Sequence, residues 1–97
     1  MITLNSKQIS HLRALGHNLN AVVMIGNNGL SETVLHEIEV ALKAHELIKI
    51  KVLGDDRPAR IAMLEKICAN SSAVAVHHIG KQLLVYRKAD KPKIVFP

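Results

Sequence analysis

The chain's 97 residues are 48% hydrophobic and 22% charged, which supplies one packed core and excludes both a wholly disordered chain and two independent domains. Thirteen Lys and Arg against eight Asp and Glu leave a formal charge of +5, the balance expected of a protein with an acidic partner, nucleic acid above all. The N-terminus lacks the pattern of a signal peptide, no run approaches the roughly 18 apolar residues of a membrane span, and Cys68 is the only cysteine; a cytoplasmic protein without disulfides or a membrane partner is expected.

Asn5 with Gln8 three residues on, and Leu4 with Ile9 beside them, have the spacing of a capping box and a hydrophobic staple. They predict a first helix from about Ser6, with Ile9, Leu12 and Leu15 on one face and Gly16 ending it in a left-handed turn. Ala21 to Ile25 is a short, unbroken, β-branched run, the pattern of a buried strand. After Gly26-Asn27-Asn28-Gly29, a second helix begins at Ser31 with Val34, Leu35, Ile38, Ala41 and Leu42 inward, and with Glu39 and Lys43 paired on the solvent side.

From Leu47 to Leu53 the pattern changes to period two, with Ile48, Ile50 and Val52 on one face of a strand and Lys49 and Lys51 on the other. Gly54 to Pro58 is turn chemistry leading into a third helix, capped by Asp56 and turning Ile61, Leu64, Ile67 and Cys68 inward. Ala73 to Ile79 and Gln82 to Tyr86 predict two strands joined by a two-residue turn with Gly80 first. Residues 88–97, with Arg87 before them, predict an extended, loosely held basic tail whose Ile94, Val95 and Phe96 touch the body. The fold class is therefore α/β, ordered α-β-α-β-α-β-β, with a mixed four-stranded sheet packed by helices in a single domain over 1–97.

The segment Gly26-Asn27-Asn28-Gly29 carries the most chemistry. Two glycines let a backbone approach closely, and the helix that follows offers unpaired N–H groups to a phosphate. A GxxG loop clamps a nucleic-acid backbone in this way, although the same spacing also serves a plain strand-to-helix turn. Lys49 and Lys51 on the second strand, and Arg57, Arg60 and Lys66 on the third helix, are the candidate phosphate contacts around it. Glu32, Glu37 and Glu39 turn the outer face of the second helix away from such a partner. The six histidines lack the short paired spacings of zinc sites, so no metal is expected, and no nucleophile elbow, P-loop or dinucleotide fingerprint is present. No enzyme activity follows from any local motif.

Val22-Val23-Met24-Ile25-Gly26-Asn27-Asn28-Gly29-Leu30-Ser31, followed by Ala41-Leu42-Lys43-Ala44-His45-Glu46-Leu47-Ile48-Lys49-Ile50-Lys51-Val52, resembles the CRM domain (chloroplast RNA splicing and ribosome maturation). A short chain standing alone is similar to the bacterial YhbY-type, single-domain RNA-binding form. The resemblance implies a fold similar to the C-terminal domain of translation initiation factor three, no cofactor, and an RNA-binding assembly factor on precursors of the large ribosomal subunit. Carried onto this sequence, the RNA loop is Gly26, Asn27, Asn28 and Gly29, supported by Lys49 and Lys51. Asn27 stands where many members carry Lys, which removes one charge from the loop. The expected partner is rRNA and the expected state a monomer; the alternative is a protein-interaction module docking on a ribosomal protein through its sheet or tail.

Overall fold

A computed structural model describes residues 3–96. Asn5 caps the first helix, α1 (Ser6–Gly16), through the reciprocal box: its side chain accepts the Gln8 N–H at 2.8 Å while the Gln8 side chain accepts the Asn5 N–H at 3.0 Å. Strand β1 (Ala21–Ile25) leads through the Gly26–Gly29 loop to α2 (Glu32–His45), capped by Ser31. There follow β2 (Leu47–Val52), α3 (Arg57–Ser71), β3 (Val74–Ile79) and β4 (Gln82–Tyr86). No described helix is long and apolar enough to cross a membrane.

The four strands form one mixed sheet in the order β1-β2-β4-β3. β1 and β2 run parallel, with α2 as their crossover, while β4 is antiparallel to both β2 and β3. At the β3–β4 hairpin Gly80 takes a φ of +55°, as a turn with glycine first requires.

Period-two alternation divides the sheet's side chains between two layers. Val23, Ile25, Ile48, Ile50, Val52, Leu83 and Val85 meet Ile38, Ala41, Leu42 and Ile67 from α2 and α3 in the larger core. On the opposite face Leu47, Val76, Leu84 and Tyr86 pack with Leu12 of α1, and with Ile94 and Phe96 of the tail.

Three expectations need correction. β1 is not buried on both faces: it is an edge strand, and α1 rests over β2 and β3 instead, so Val22 and Met24 are 51% and 56% exposed. Gly16 does not end α1 in a left-handed turn. The cap, His17, has ordinary right-handed angles, and Gly16 lies against the sheet so closely that an added Cβ would stand 2.5 Å from Leu84 Cδ2; glycine is needed there for close packing. Third, Ile61 does not turn fully inward with Leu64, Ile67 and Cys68, but stays exposed on α3.

The segment after β4 is also held more firmly than its composition predicts. Arg87 forms a two-pronged ion pair with Glu39, both contacts 2.7 Å, and donates to the Ser71 carbonyl at 3.0 Å. Hydrogen bonds from Arg87 hold the Glu39 carboxyl below its ordinary range against the opposing effect of burial. The expected Lys43–Glu39 contact is present at 3.8 Å, looser and more exposed. Beyond Arg87, the buried Glu46 carboxylate accepts backbone N–H groups from Ala89, Lys93 and Ile94. Ile94 and Phe96 settle on the α1 side of the sheet, Phe96 edge-on to Tyr86 at 6.0 Å, while Val95 points outward.

Candidate nucleic-acid interface

Parallel pairing brings the C-terminal ends of β1 and β2 to the same end of the sheet, and the β3–β4 turn arrives there too. Backbone hydrogen bonds tie the three together: Leu53 N–H donates to the Ile25 carbonyl at 2.9 Å, and Val52 N–H to the Lys81 carbonyl at 2.7 Å. The Gly26–Gly29 loop therefore springs from a fixed platform. It closes as a turn in which Gly29 N–H donates to the Gly26 carbonyl at 3.0 Å, leaving the Asn27 and Asn28 side chains exposed.

The two glycines serve different needs. Gly29 has a φ of +69°, with Met63 Cε of α3 beneath it at 3.9 Å from an ideal Cβ, so a side chain is strained there by the backbone itself. Gly26 has no such angle and nothing within 4 Å of an ideal Cβ, so its open space can admit an incoming backbone. Two residues past the loop, the Ser31 hydroxyl accepts the Val34 N–H at 3.2 Å and starts α2. The first N–H groups of α2 thus face the same end of the molecule as the loop, where a helix dipole favours negative charge.

The candidate basic residues do not all gather at this end. Lys51 does: it pairs with Met24, next to the residue that precedes Gly26, and is exposed. Arg57 is exposed in the first turn of α3, just after the β2–α3 loop. Lys49 lies one step back on the strand, paired with Ala21 and Leu84, and faces a groove beside α1. Arg60 is not part of the exposed basic surface, because it is only 8% exposed. Its guanidinium donates to the Gly54 carbonyl and lies against His78 Nε2, both at 3.4 Å, so it ties α3 to the adjoining loop and the β3 edge. Lys66 lies farther along α3, beyond the loop end.

Lys81 was not singled out by the sequence, and it stands at this end with its ammonium 3.0 Å from Asp55 in an exposed pair, of the kind that contributes little to stability. Also missed were Arg13, His17 and His77, which meet Lys49 in the groove; the sequence signal was the i, i+4 spacing of Arg13 and His17. Among the described residues, no group of three or more His, Cys, Asp or Glu is placed to hold a metal ion.

A family model, the CRS1/YhbY (CRM) domain, matches residues 4–87. This chain belongs to the CRM-domain family. A Haemophilus influenzae protein named as RNA-binding is 47% identical to this CRM domain over 97 residues, 100% of this chain and 98% of the relative. PA4753 of Pseudomonas aeruginosa, likewise named for RNA binding, is 44% identical over 91 residues, 94% of this chain and 88% of the relative. The solution structure of SAV1595 from Staphylococcus aureus superposes on the CRM domain with a TM-score of 0.85 at 29% identity, covering 98% of this chain and all of the other.

Proposed function

We propose that this CRM-domain protein binds RNA by clamping a strand's backbone at the Gly26–Gly29 loop, and does so on precursors of the large ribosomal subunit. One observation carries the reading: a glycine turn with open space at Gly26 leads directly into a capped helix start, flanked by Lys51 and Arg57. The names of its relatives support RNA as the partner. The protein acts by binding alone, as a cytoplasmic monomer that leaves when its rRNA site is buried by the maturing particle. A formal charge of +5 suits moderate, reversible attachment to a polyanion.

Fractionating a lysate on a sucrose gradient at moderate salt tests the assembly role. The protein is expected to sediment with incomplete large subunits; one copy on every mature ribosome would contradict the reading. Binding to single-stranded RNA should also be salt-dependent. With Arg60 withdrawn and Lys49 set back in the groove beside α1, Lys51 and Arg57 remain as phosphate contacts at the loop end, and two such contacts predict roughly a sevenfold loss of affinity between ~50 and ~200 mM salt. A flat response in a fluorescence titration would point to an apolar interface with a protein instead.

A further inference from the structure

The face of the sheet that carries α1 is only partly covered, and its open part carries basic side chains beside the exposed Met24 and Ile79. Between the C-terminal end of α1 and strands β2, β4 and β3 lies a groove lined by Arg13, His17, Lys49, His77, Gln82 and Leu84. Four of its nine lining residues are basic, and none of the described lining is acidic. We propose that this groove holds a phosphodiester of the bound RNA strand, a second contact separate from the glycine loop; this rests on the RNA-binding reading above.

The fold constructs the groove deliberately from elements far apart in sequence. Gly16 allows α1 to lie directly on Leu84, which brings Arg13 and His17 down to the sheet. Arg13 Nε donates to the Val76 carbonyl at 3.2 Å. That bond anchors the guanidinium, and its two terminal nitrogens make no other protein hydrogen bond among the described residues, so they are available to an anion. His77 stands across from them on β3, paired with Leu84, whose other neighbour is Lys49.

The end of α1 does not oppose an anion with bare carbonyls. The Arg13, Ala14, Leu15 and Gly16 carbonyls are taken up by the N–H groups of His17, Asn18 and Leu19. The like charges are instead left to repel one another. Burial, and then the charges of Arg13, His17 and His78, push the His77 imidazole below its ordinary range, a repulsion that a phosphate would relieve.

The groove is also continuous with the loop. Lys49 and Lys51 are two residues apart on one face of β2, a rise of roughly 7 Å, and Lys51 lies beside the strand that enters Gly26. A strand clamped at the loop can therefore pass Lys51 and reach the groove without leaving the molecule's surface. An acidic protein segment would meet the same cations, but continuity with the loop favours the strand already bound there.

The test uses the full chain, a fluorescein-labelled oligouridylate of about twelve nucleotides, and proton NMR of the histidine rings. The groups facing His77 are Arg13 and His17 on α1 and Lys49 on β2; His78, next to it on β3, is turned to the other face of the sheet against Arg60 but still adds to the basic surroundings. RNA should raise the pH at which His77 titrates, and affinity should be greater near pH 6 than near pH 8. Arg13→Gln should weaken binding about fivefold. Lys49→Gln, which leaves the Arg13–Val76 bond intact, should do the same and so guards against a misfolded first variant. If Gly26→Asp weakens binding while both groove variants and the His77 titration are unaffected, the groove is not a contact and the loop reading survives. If the wild-type chain binds no RNA, both fall. A polyglutamate peptide that shifts His77 at least as strongly as RNA would overturn the groove as an RNA site and assign it to an acidic protein.

Discussion

Replacing Gly26 by Asp is expected to lower affinity for single-stranded RNA by about thirtyfold, roughly 2 kcal/mol, with no change in melting temperature. The magnitude follows from placing a carboxylate within a few Å of a phosphate at the edge of solvent, where like charges repel by about 1 to 4 kcal/mol. The fold should be indifferent, since Gly26 has no left-handed angle and an ideal Cβ there has no neighbour within 4 Å. Gly29→Asp is the less clean variant: at a φ of +69° a side chain is strained by the backbone, Asp less than most, before charge is considered. Titration of labelled RNA at constant salt, alongside a thermal melt, separates the two effects. Unchanged affinity in folded Gly26→Asp would remove the loop from the interface.

The capped helices and the alternating strands were legible because their causes are local. Asn5 with Gln8, Ser31, Asp56 and Gly80 each act within a few residues, and each stands where its spacing placed it. What could not be read is what depends on which element covers which. The run Ala21 to Ile25 is apolar on both faces, and nothing in it reveals that β1 lies at an edge with Val22 and Met24 uncovered. Gly16 has the position of a helix terminator, and only the presence of Leu84 beneath it makes close packing the reason for glycine.

The basic residues illustrate the same limit. Arg57 and Arg60 differ by less than one turn of α3, yet the first is exposed and the second is held at the Gly54 carbonyl and His78. Both partners come from other elements, so no reading of the helix alone distinguishes a phosphate contact from a structural tie. The candidate loop was legible as a motif; its neighbours became so only once parallel pairing had placed the ends of β1 and β2 together.

Glu46 is the residue whose loss should most disturb the fold outside the hydrophobic core. It follows α2 with a φ of +63°, an unfavourable angle for a side-chain-bearing residue, and the surrounding bonds hold it there. Its N–H donates to the Leu42 carbonyl, its own carbonyl accepts the Arg87 N–H, and its carboxylate accepts three N–H groups of the tail. Glu46→Ala should cost about 2 to 4 kcal/mol, since bonds to a charged acceptor are worth roughly 1.5 to 3 kcal/mol each and a released tail recovers part of that from water. Glu46→Gln keeps one oxygen acceptor and should cost less. Hydrogen exchange at Ala89, Lys93 and Ile94 should accelerate in the Ala variant, and Phe96 should lose its contact with Tyr86. Burial works to raise the Glu46 carboxyl, but the N–H groups of Lys93, Ala89 and Ile94 outweigh it, and the group lies below its ordinary value of 4.5. The unfolded chain therefore binds this proton more readily, so the stabilisation is fully present above about pH 4.5 and is lost as pH falls through the lower folded value. Urea melts across that acid range should show a shallower decline for Glu46→Ala than for the wild type, with the remaining slope owed in part to Glu39, which its bonds to Arg87 hold low in the same way. Equal acid slopes in the two proteins would mean that Glu46 does not hold the tail as a carboxylate.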